Sequence, residues 1–384
     1  MSDIAVVIMH GSLGESRGER MVDGARRAAT SDLVASLRRA GAERVLLSTD
    51  DPAFLSVLTD SVVPLPSPCA TTFHFGATLA AAVASHRLRG VVYFGSGTGF
   101  LLPEERLREL LAFAERKEPG ALLNNPFSVD FAAISGARLL PRVALPALDN
   151  PLGFALHEAG FRCRALPRTL ETQFDIDTPT DALLLAAATH GGPSLRQALQ
   201  EMSIDTQPIS RLLDRLRDRS RSAYIMGRVH PEAWSWFQSQ VACRTGGVIE
   251  GRGARSSPGA RETLLGSDLT ESTATRLIDR LARACDAAII DTRPFLAPKG
   301  DLPRREDRFA CDLLLPEEVS SKRWAAFAAA ARDAPMPVLL GGHNLVSGGL
   351  FLLGAICWNT HDLPRRLTAE PYEWSTRPHD RPLR

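Results

Sequence analysis

The chain has 384 residues, 44% of them hydrophobic and 23% charged, with a formal net charge of +1. This balance is that of a globular protein and not of a disordered chain, and the charge gives no reason to expect nucleic acid or an anionic membrane surface as a partner. The length exceeds what one ordinary core organises, so two domains are expected.

Six cysteines (Cys69, Cys163, Cys243, Cys285, Cys311 and Cys357) are scattered without a C-x-x-C pair. Buried reduced thiols are expected, not a zinc site or a disulfide framework. The chain passes from a polar Met-Ser-Asp directly into a strand-like run, with no signal-peptide pattern and no apolar run of spanning length. A cytoplasmic protein with no membrane partner is the expectation.

Residues 4–9 form an apolar run of strand length, ending in a loop that contains His10, Gly11, Ser12, Gly14, Ser16, Arg17, Gly18 and Arg20. Residues 22–40 have helical spacing and residues 44–49 read as a second strand, a β–loop–α–β opening. A helix is expected over 73–86, leading into a buried strand over 90–94. That strand breaks at Gly95-Ser96-Gly97-Thr98-Gly99, and Pro103 with two glutamates opens the next helix over 103–116. A small-residue turn between strand and helix is where α/β proteins hold phosphates, since backbone N–H groups and the helix dipole converge there. It also serves as a plain tight turn.

Residues 121–131 read as a strand and turn, with Asn124, Asn125, Ser128 and Asp130 as turn formers or a polar pocket rim. A helix follows over 154–159. Asp175-Ile176-Asp177-Thr178-Pro179-Thr180-Asp181 punctuates the chain before an alanine–leucine helix through Ala188. Residues 195–218 are helical and densely charged. Strands are expected over 223–229, 247–250, 287–291 and 337–340, with a weaker one over 310–315, and helices over 271–285 and 318–332. The Pro- and Arg-rich stretch after about 363 reads as surface chain.

Two further loops follow predicted strands, Asp291-Thr292-Arg293-Pro294 and the run 341–349 with His343, Asn344 and Ser347, and the Gly/Arg-rich run 246–255 is a third candidate, for anion binding or as a plain surface connection. The run 341–349 is an anion or substrate cradle in outline, but lacks the Gly-Lys-Ser/Thr of a P-loop. No hydrolase elbow, zinc-ligand pair or redox motif is visible.

Residues 1–190 resemble the nucleotidyltransferase branch of the glycosyltransferase-A-like (GT-A) fold, nearest to the molybdenum-cofactor and 2-phospholactate guanylyltransferase families. The likeness rests on the N-terminal strand with its Gly/Ser/Arg loop, on the strand–turn–Leu101-Leu102-Pro103-Glu104 segment, and above all on Asp175–Asp181. It implies an α/β, Rossmann-like, doubly wound and mostly parallel sheet over 1–192. A helical connection over 193–221 and a second α/β domain over 222–384 complete the expected order.

The resemblance further implies a nucleotidyltransferase that moves a nucleotide from an NTP to a phosphorylated small molecule with Mg²⁺. The backbone of 11–18, including Gly11, Ser12 and Gly14, would wrap the triphosphate, with Arg17 or Arg20 on phosphate oxygens. Gly95, Ser96, Gly97, Asn125 and Ser128 would line the nucleotide site. Asp175 and Asp177 would hold the metal, Asp177 with a catalytic role, and His343 and Ser347 would contribute from the second domain. Two departures stand out. Gly97 occupies the place of the family's first metal-binding aspartate, and the loop contains no lysine, Arg17, Arg20, Arg26 and Arg27 being the nearest basic candidates. A nucleotide- or sugar-nucleotide-binding protein without transfer activity is therefore the alternative, and an activity seated in the C-terminal domain a further one.

Overall fold

The computed structural model describes residues 3–68, 72–250, 271–296 and 302–358. Cys69, residues 251–255 of the Gly/Arg-rich loop and the stretch after 363 lie outside the described residues. The other cysteines are free thiols, four of them buried.

The first sheet is built from β1 (Ile4–His10), β2 (Val45–Thr49), β3 (Val63–Pro64), β4 (Gly90–Gly95), β5 (Gly120–Leu123), β6 (Phe131–Ser135) and β7 (Arg162–Ala165), in the order β3-β2-β1-β4-β6-β5-β7. β6 runs antiparallel to both neighbours, and the other pairings are parallel. The second sheet contains β8 (Ser222–Gly227), β9 (Arg244–Ile249), β10 (Ala287–Asp291) and β11 (Val338–Gly341), all parallel in the order β11-β10-β8-β9. The α/β class, with a mostly parallel sheet followed by a second one, is what the sequence predicts.

Alternation along each strand explains the layers. On β1, Val6 and Ile8 face one core while Ala5, Val7 and Met9 face another, so the sheet is covered on both sides. On the second sheet, Ile225 and Ile289 join the same core as Val6 and Ile8, while Met226 and Ile290 face a third core. One continuous apolar layer therefore lies between the sheets. It is filled by the helices Arg17–Arg39, Pro179–Ala188, Pro193–Glu201, Gln207–Arg217 and Gly348–Ile356. Leu33, Leu184, Leu199, Leu212 and Leu352 are their buried contributions. Pro193–Glu201 packs on Arg17–Arg39, and Gln207–Arg217 packs on β8 and β11.

Several local expectations change. Residues 310–315 are not a strand: Ala310 and Cys311 end the helix Arg305–Asp312, which buries them with Phe309 against its neighbours. Pro103 is the N-cap of Glu104–Ala114 and not its first helical residue. The first helix starts at Arg17, five residues before its apolar periodicity is evident, because Ser16 and Glu19 form a reciprocal capping box. No helix among the described residues is long and apolar enough to cross a membrane.

Candidate functional site

In the first sheet the chain passes from β1 to β2 and β3 on one side, then crosses back to β4 on the other side of β1. The carboxyl ends of β1 and β4 thus flank the switch point where open α/β sheets place ligands. His10 ends β1, and Ser96 follows β4 with its Oγ 2.6 Å from His10 Nδ1. Gly97 comes next, at φ +80°. Its carbonyl accepts from the Ile176 N–H at 3.0 Å, which ties the turn to the Asp175–Asp181 run.

That run is shaped by its own side chains. Thr178 caps the helix Pro179–Ala188, and Asp181 Oδ2 accepts from the Asp177 and Thr178 N–H groups and from Thr178 Oγ1. The second sheet closes over it. Asn344, fully buried, donates to the Asp175 carbonyl at 2.8 Å and to Asp181 Oδ1 at 2.7 Å. Thr180 Oγ1 donates to the Leu340 carbonyl at 2.6 Å. Gly348 admits this contact because a Cβ there would stand 2.5 Å from the Gln173 carbonyl oxygen and from Phe174 Cα.

The consequence is a site made by both sheets. One ligand atom each from Asp175, Asp177 and His343 lies within 4.8 Å of the others. Arg26 enters from the helix Arg17–Arg39: Nε donates to the Ile176 carbonyl at 2.6 Å and Nη2 to Asp177 Oδ1 at 2.9 Å. Burial raises the Asp177 carboxyl pKa, but Arg26, then His343 and a hydrogen bond with Asp175, bring it below the usual range. Asp181 goes the other way: burial and the Asp177 charge push it up to about 7, against hydrogen bonds from Asn344 and Thr178. Two oxygen donors and an imidazole suit a divalent cation, and the guanidinium beside them suits a phosphate.

Among the described residues no carboxylate is among the atoms nearest to a side chain built at Gly97. A Cβ there would sit 3.0 Å from Arg26 Cγ and 3.2 Å from Ile176 Cβ, so the arginine stem takes that volume. A further carboxylate does approach the turn at Gly95, where Asp149 Oδ2 lies 3.6 Å from a built Cβ. Tyr93 donates to that oxygen at 2.7 Å. Burial raises the Asp149 pKa, and Asp177 adds to the rise.

The remaining predicted residues are placed less centrally. Gly11, Ser12, Gly14, Arg17 and Arg20 are exposed at the mouth of the first loop. There the Ser12 N–H donates to Asp50 Oδ1 at 2.8 Å, the Ser16 N–H to Glu19 Oε2 at 3.2 Å, and Arg20 to the Glu15 carbonyl. Asn125 is buried and accepts from the Phe127 N–H, while Ser128 Oγ accepts from Asn150. Both shape the turn that carries Asp130, whose carbonyl accepts from the Gly95 N–H. Ser347 Oγ donates to the His343 carbonyl at 3.0 Å, which supports the loop.

Arg26 is among the arginines that the sequence offers for a phosphate, but its pairing with Asp177 and the clamping role of Asn344 are not legible there. Arg293 also reaches this region: it pairs bidentately with buried Asp312, and its guanidinium lies 3.3 Å from a Cβ built at Gly342.

No protein-family model matches the chain, and comparison with curated proteins gives no match. Solved structures match about half of it. One is a provisionally assigned nucleotide-diphospho-sugar transferase from Desulfovibrio desulfuricans G20, 15% identical, with a TM-score of 0.39 over 53% of this chain and 100% of that one. A cytidylyltransferase from Leptospira borgpetersenii is 11% identical, with a TM-score of 0.38 over 53% and 94% of the two chains. A CMP:2-keto-3-deoxy-manno-octonic acid synthetase complexed with CTP is 12% identical, with a TM-score of 0.34 over 53% and 99%.

Proposed function

We propose that this chain is a nucleotidyltransferase-like protein that binds an NTP together with a divalent cation, Mg²⁺ in the cytoplasm, at the junction of its two sheets. The observation that carries the reading is the convergence of Asp175, Asp177 and His343 within 4.8 Å. In this reading Asp175, Asp177 and His343 hold the metal and Arg26 meets a phosphate oxygen. Arg17 and Arg20 stand at the mouth for the distal phosphates, and Ser96, Gly95 and Gly97 line the switch-point crevice. A phosphate oxygen of the acceptor would attack the α-phosphorus of the NTP, and the bond to the bridging oxygen would break as pyrophosphate leaves. Metal and guanidinium would neutralise the charge that develops.

A second reading, nucleotide or sugar-nucleotide binding without transfer, is favoured by one observation. Arg26 occupies the volume beside Gly97, where the resemblance expects a metal-binding carboxylate, and neutralises Asp177. Thermal-shift measurements with a panel of NTPs, with and without Mg²⁺ or Mn²⁺, test the shared premise, and pyrophosphate release with phosphorylated acceptors separates the two. Stabilisation by NTP that needs metal and disappears in Asp177→Ala supports the site. An NTP effect indifferent to both metal and Asp177 contradicts it.

A further inference from the structure

We propose that His10, Asp23 and Asp51 form a second, separate site for a divalent transition-metal ion of the Zn²⁺ class, at the switch point of the first sheet. The three residues come from three elements. His10 ends β1, Asp23 lies on the helix Arg17–Arg39, and Asp51 caps the helix Pro52–Val57. One ligand atom from each lies within 4.8 Å of the others. None of the three belongs to the Asp175–Asp177–His343 group, so the proposal stands or falls independently of the function proposed above.

Each side chain commits one atom to its surroundings, and the other faces the centre of the group. His10 Nδ1 is 2.6 Å from Ser96 Oγ. Asp51 Oδ1 accepts from the Ala53 and Phe54 N–H groups at 3.0 Å each. Asp23 Oδ2 is 2.6 Å from Arg27 Nη2. His10 Nε2 and Asp23 Oδ1 are buried and have no hydrogen-bond partner among the described residues, while Asp51 Oδ2, also buried, faces Arg27 Nη2 at 2.7 Å. The His10 side chain is 0% exposed and that of Asp51 is 9% exposed. His10 Nε2 and Asp23 Oδ1 are 3.5 Å apart, beyond hydrogen-bond range.

A proton on Nδ1, donated to Ser96, leaves the Nε2 lone pair facing two carboxylate oxygens. This is how a metal-ligating histidine is oriented, its other nitrogen fixed by a neighbour. With that tautomer the buried Nε2 and Asp23 Oδ1 face each other as two acceptors beside Asp51 Oδ2, an arrangement that a bound cation satisfies.

Arg27 supplies part of that charge, with Nη2 2.7 Å from Asp51 Oδ2 as well. The fit is incomplete: its Nε is itself buried without a partner. Its side chain is 38% exposed, so the guanidinium can swing to solvent when a metal enters. One imidazole and two carboxylates, with no triphosphate to complete an oxygen shell, suit Zn²⁺ or Mn²⁺ better than Mg²⁺, which at the other site would draw its remaining ligands from phosphate and water.

The test is calorimetric titration of the metal-stripped full chain with Zn²⁺, without nucleotide, in a His343→Ala background that removes the other imidazole. This protein is expected to bind one equivalent of Zn²⁺. His10→Gln, and separately Asp51→Asn, which keeps the capping Oδ1, should each weaken it by about 10-fold or more. Arg27→Met should strengthen binding by about 10-fold by removing the competing cation. A purely structural network would show no such gain. The proposal is overturned if the His343→Ala protein binds no Zn²⁺ at micromolar concentration. It is equally overturned if binding ignores the His10 and Asp51 substitutions, or if Arg27→Met binds Zn²⁺ no more tightly than its parent.

Discussion

Arg26 reaches across the switch-point crevice to Asp177, with Nη2 2.9 Å from Oδ1, while its stem packs where a side chain at Gly97 would have to go. One arginine thus fills a volume and sets the charge of the carboxylate beside it. In Arg26→Met the stem remains and the charge goes. Because the pair is partly open, with the Asp177 side chain 36% exposed, the cost in stability is expected to stay below about 1 kcal/mol. NTP affinity is expected to fall by about 10-fold, or about 1.4 kcal/mol. Urea unfolding and calorimetric titration measure the two separately, and unchanged NTP affinity would remove Arg26 from the phosphate site.

Gly97 has a backbone reason to be glycine. At φ +80°, with Arg26 Cγ 3.0 Å from a built Cβ, alanine faces both strain and a tight contact. Gly97→Ala should destabilise the fold by about 1–3 kcal/mol. An aspartate introduced there meets the same barrier. Denaturant midpoints of the wild type and Gly97→Ala check this, and equal midpoints would show that the turn relaxes freely.

Asn344 is the polar clamp between the sheets. Its amide serves the Asp175 carbonyl and Asp181 Oδ1, both buried. Asn344→Ala leaves these acceptors short of a donor, at an expected cost of about 2–4 kcal/mol. The variant should also lose metal affinity, because the same amide positions the backbone that carries Asp175. A variant as stable as wild type would show that the clamp is dispensable.

Asp181 gives a pH signature. Its carboxyl rises from 3.8 to about 7 in the folded chain, through burial and the Asp177 charge. Between about pH 4 and 7 the folded state therefore binds more protons at this position than the unfolded state. The contribution is fully present below the unfolded value and is lost as pH climbs toward 7, so this group makes stability fall with rising pH. Asp181→Asn should be less stable overall, yet lose less stability between pH 4 and 7 than the wild type. Parallel stability–pH curves would show that Asp181 titrates normally.

The legible parts of this fold are those whose signal is local. β1, β4 and β10 are continuous apolar runs because both faces of their strands are buried. β7 reads Arg-Cys-Arg-Ala and is largely exposed at a sheet edge, so hydropathy is silent there. β6, Phe-Ala-Ala-Ile-Ser, is a short run just after a turn and merges with it in the sequence. The strand expected over 310–315 fails because a short buried apolar run fits a helix equally well, and Phe309, Ala310 and Cys311 are buried on one.

The site divides in the same way. Asp175–Asp181 is legible through its capping chemistry, and the His343 loop through its glycines after a strand. Their meeting is not, since Asn344 and Asp181 are 163 residues apart and join only when the two sheets share a core. Arg26 is separated from Ile176 by 150 residues and is one arginine among several in its helix.

The central claim is that one cation–nucleotide site draws on both sheets. The direct measurement is the affinity of the full chain for Mn²⁺ with a saturating NTP, by calorimetry or electron paramagnetic resonance, in the wild type, Asp177→Asn and His343→Ala. Both substitutions are expected to weaken Mn²⁺ binding by about 10-fold or more, with the folds intact by circular dichroism. Mn²⁺ binding that is lost in Asp177→Asn but unchanged in His343→Ala would contradict a shared site and confine the metal to the first sheet.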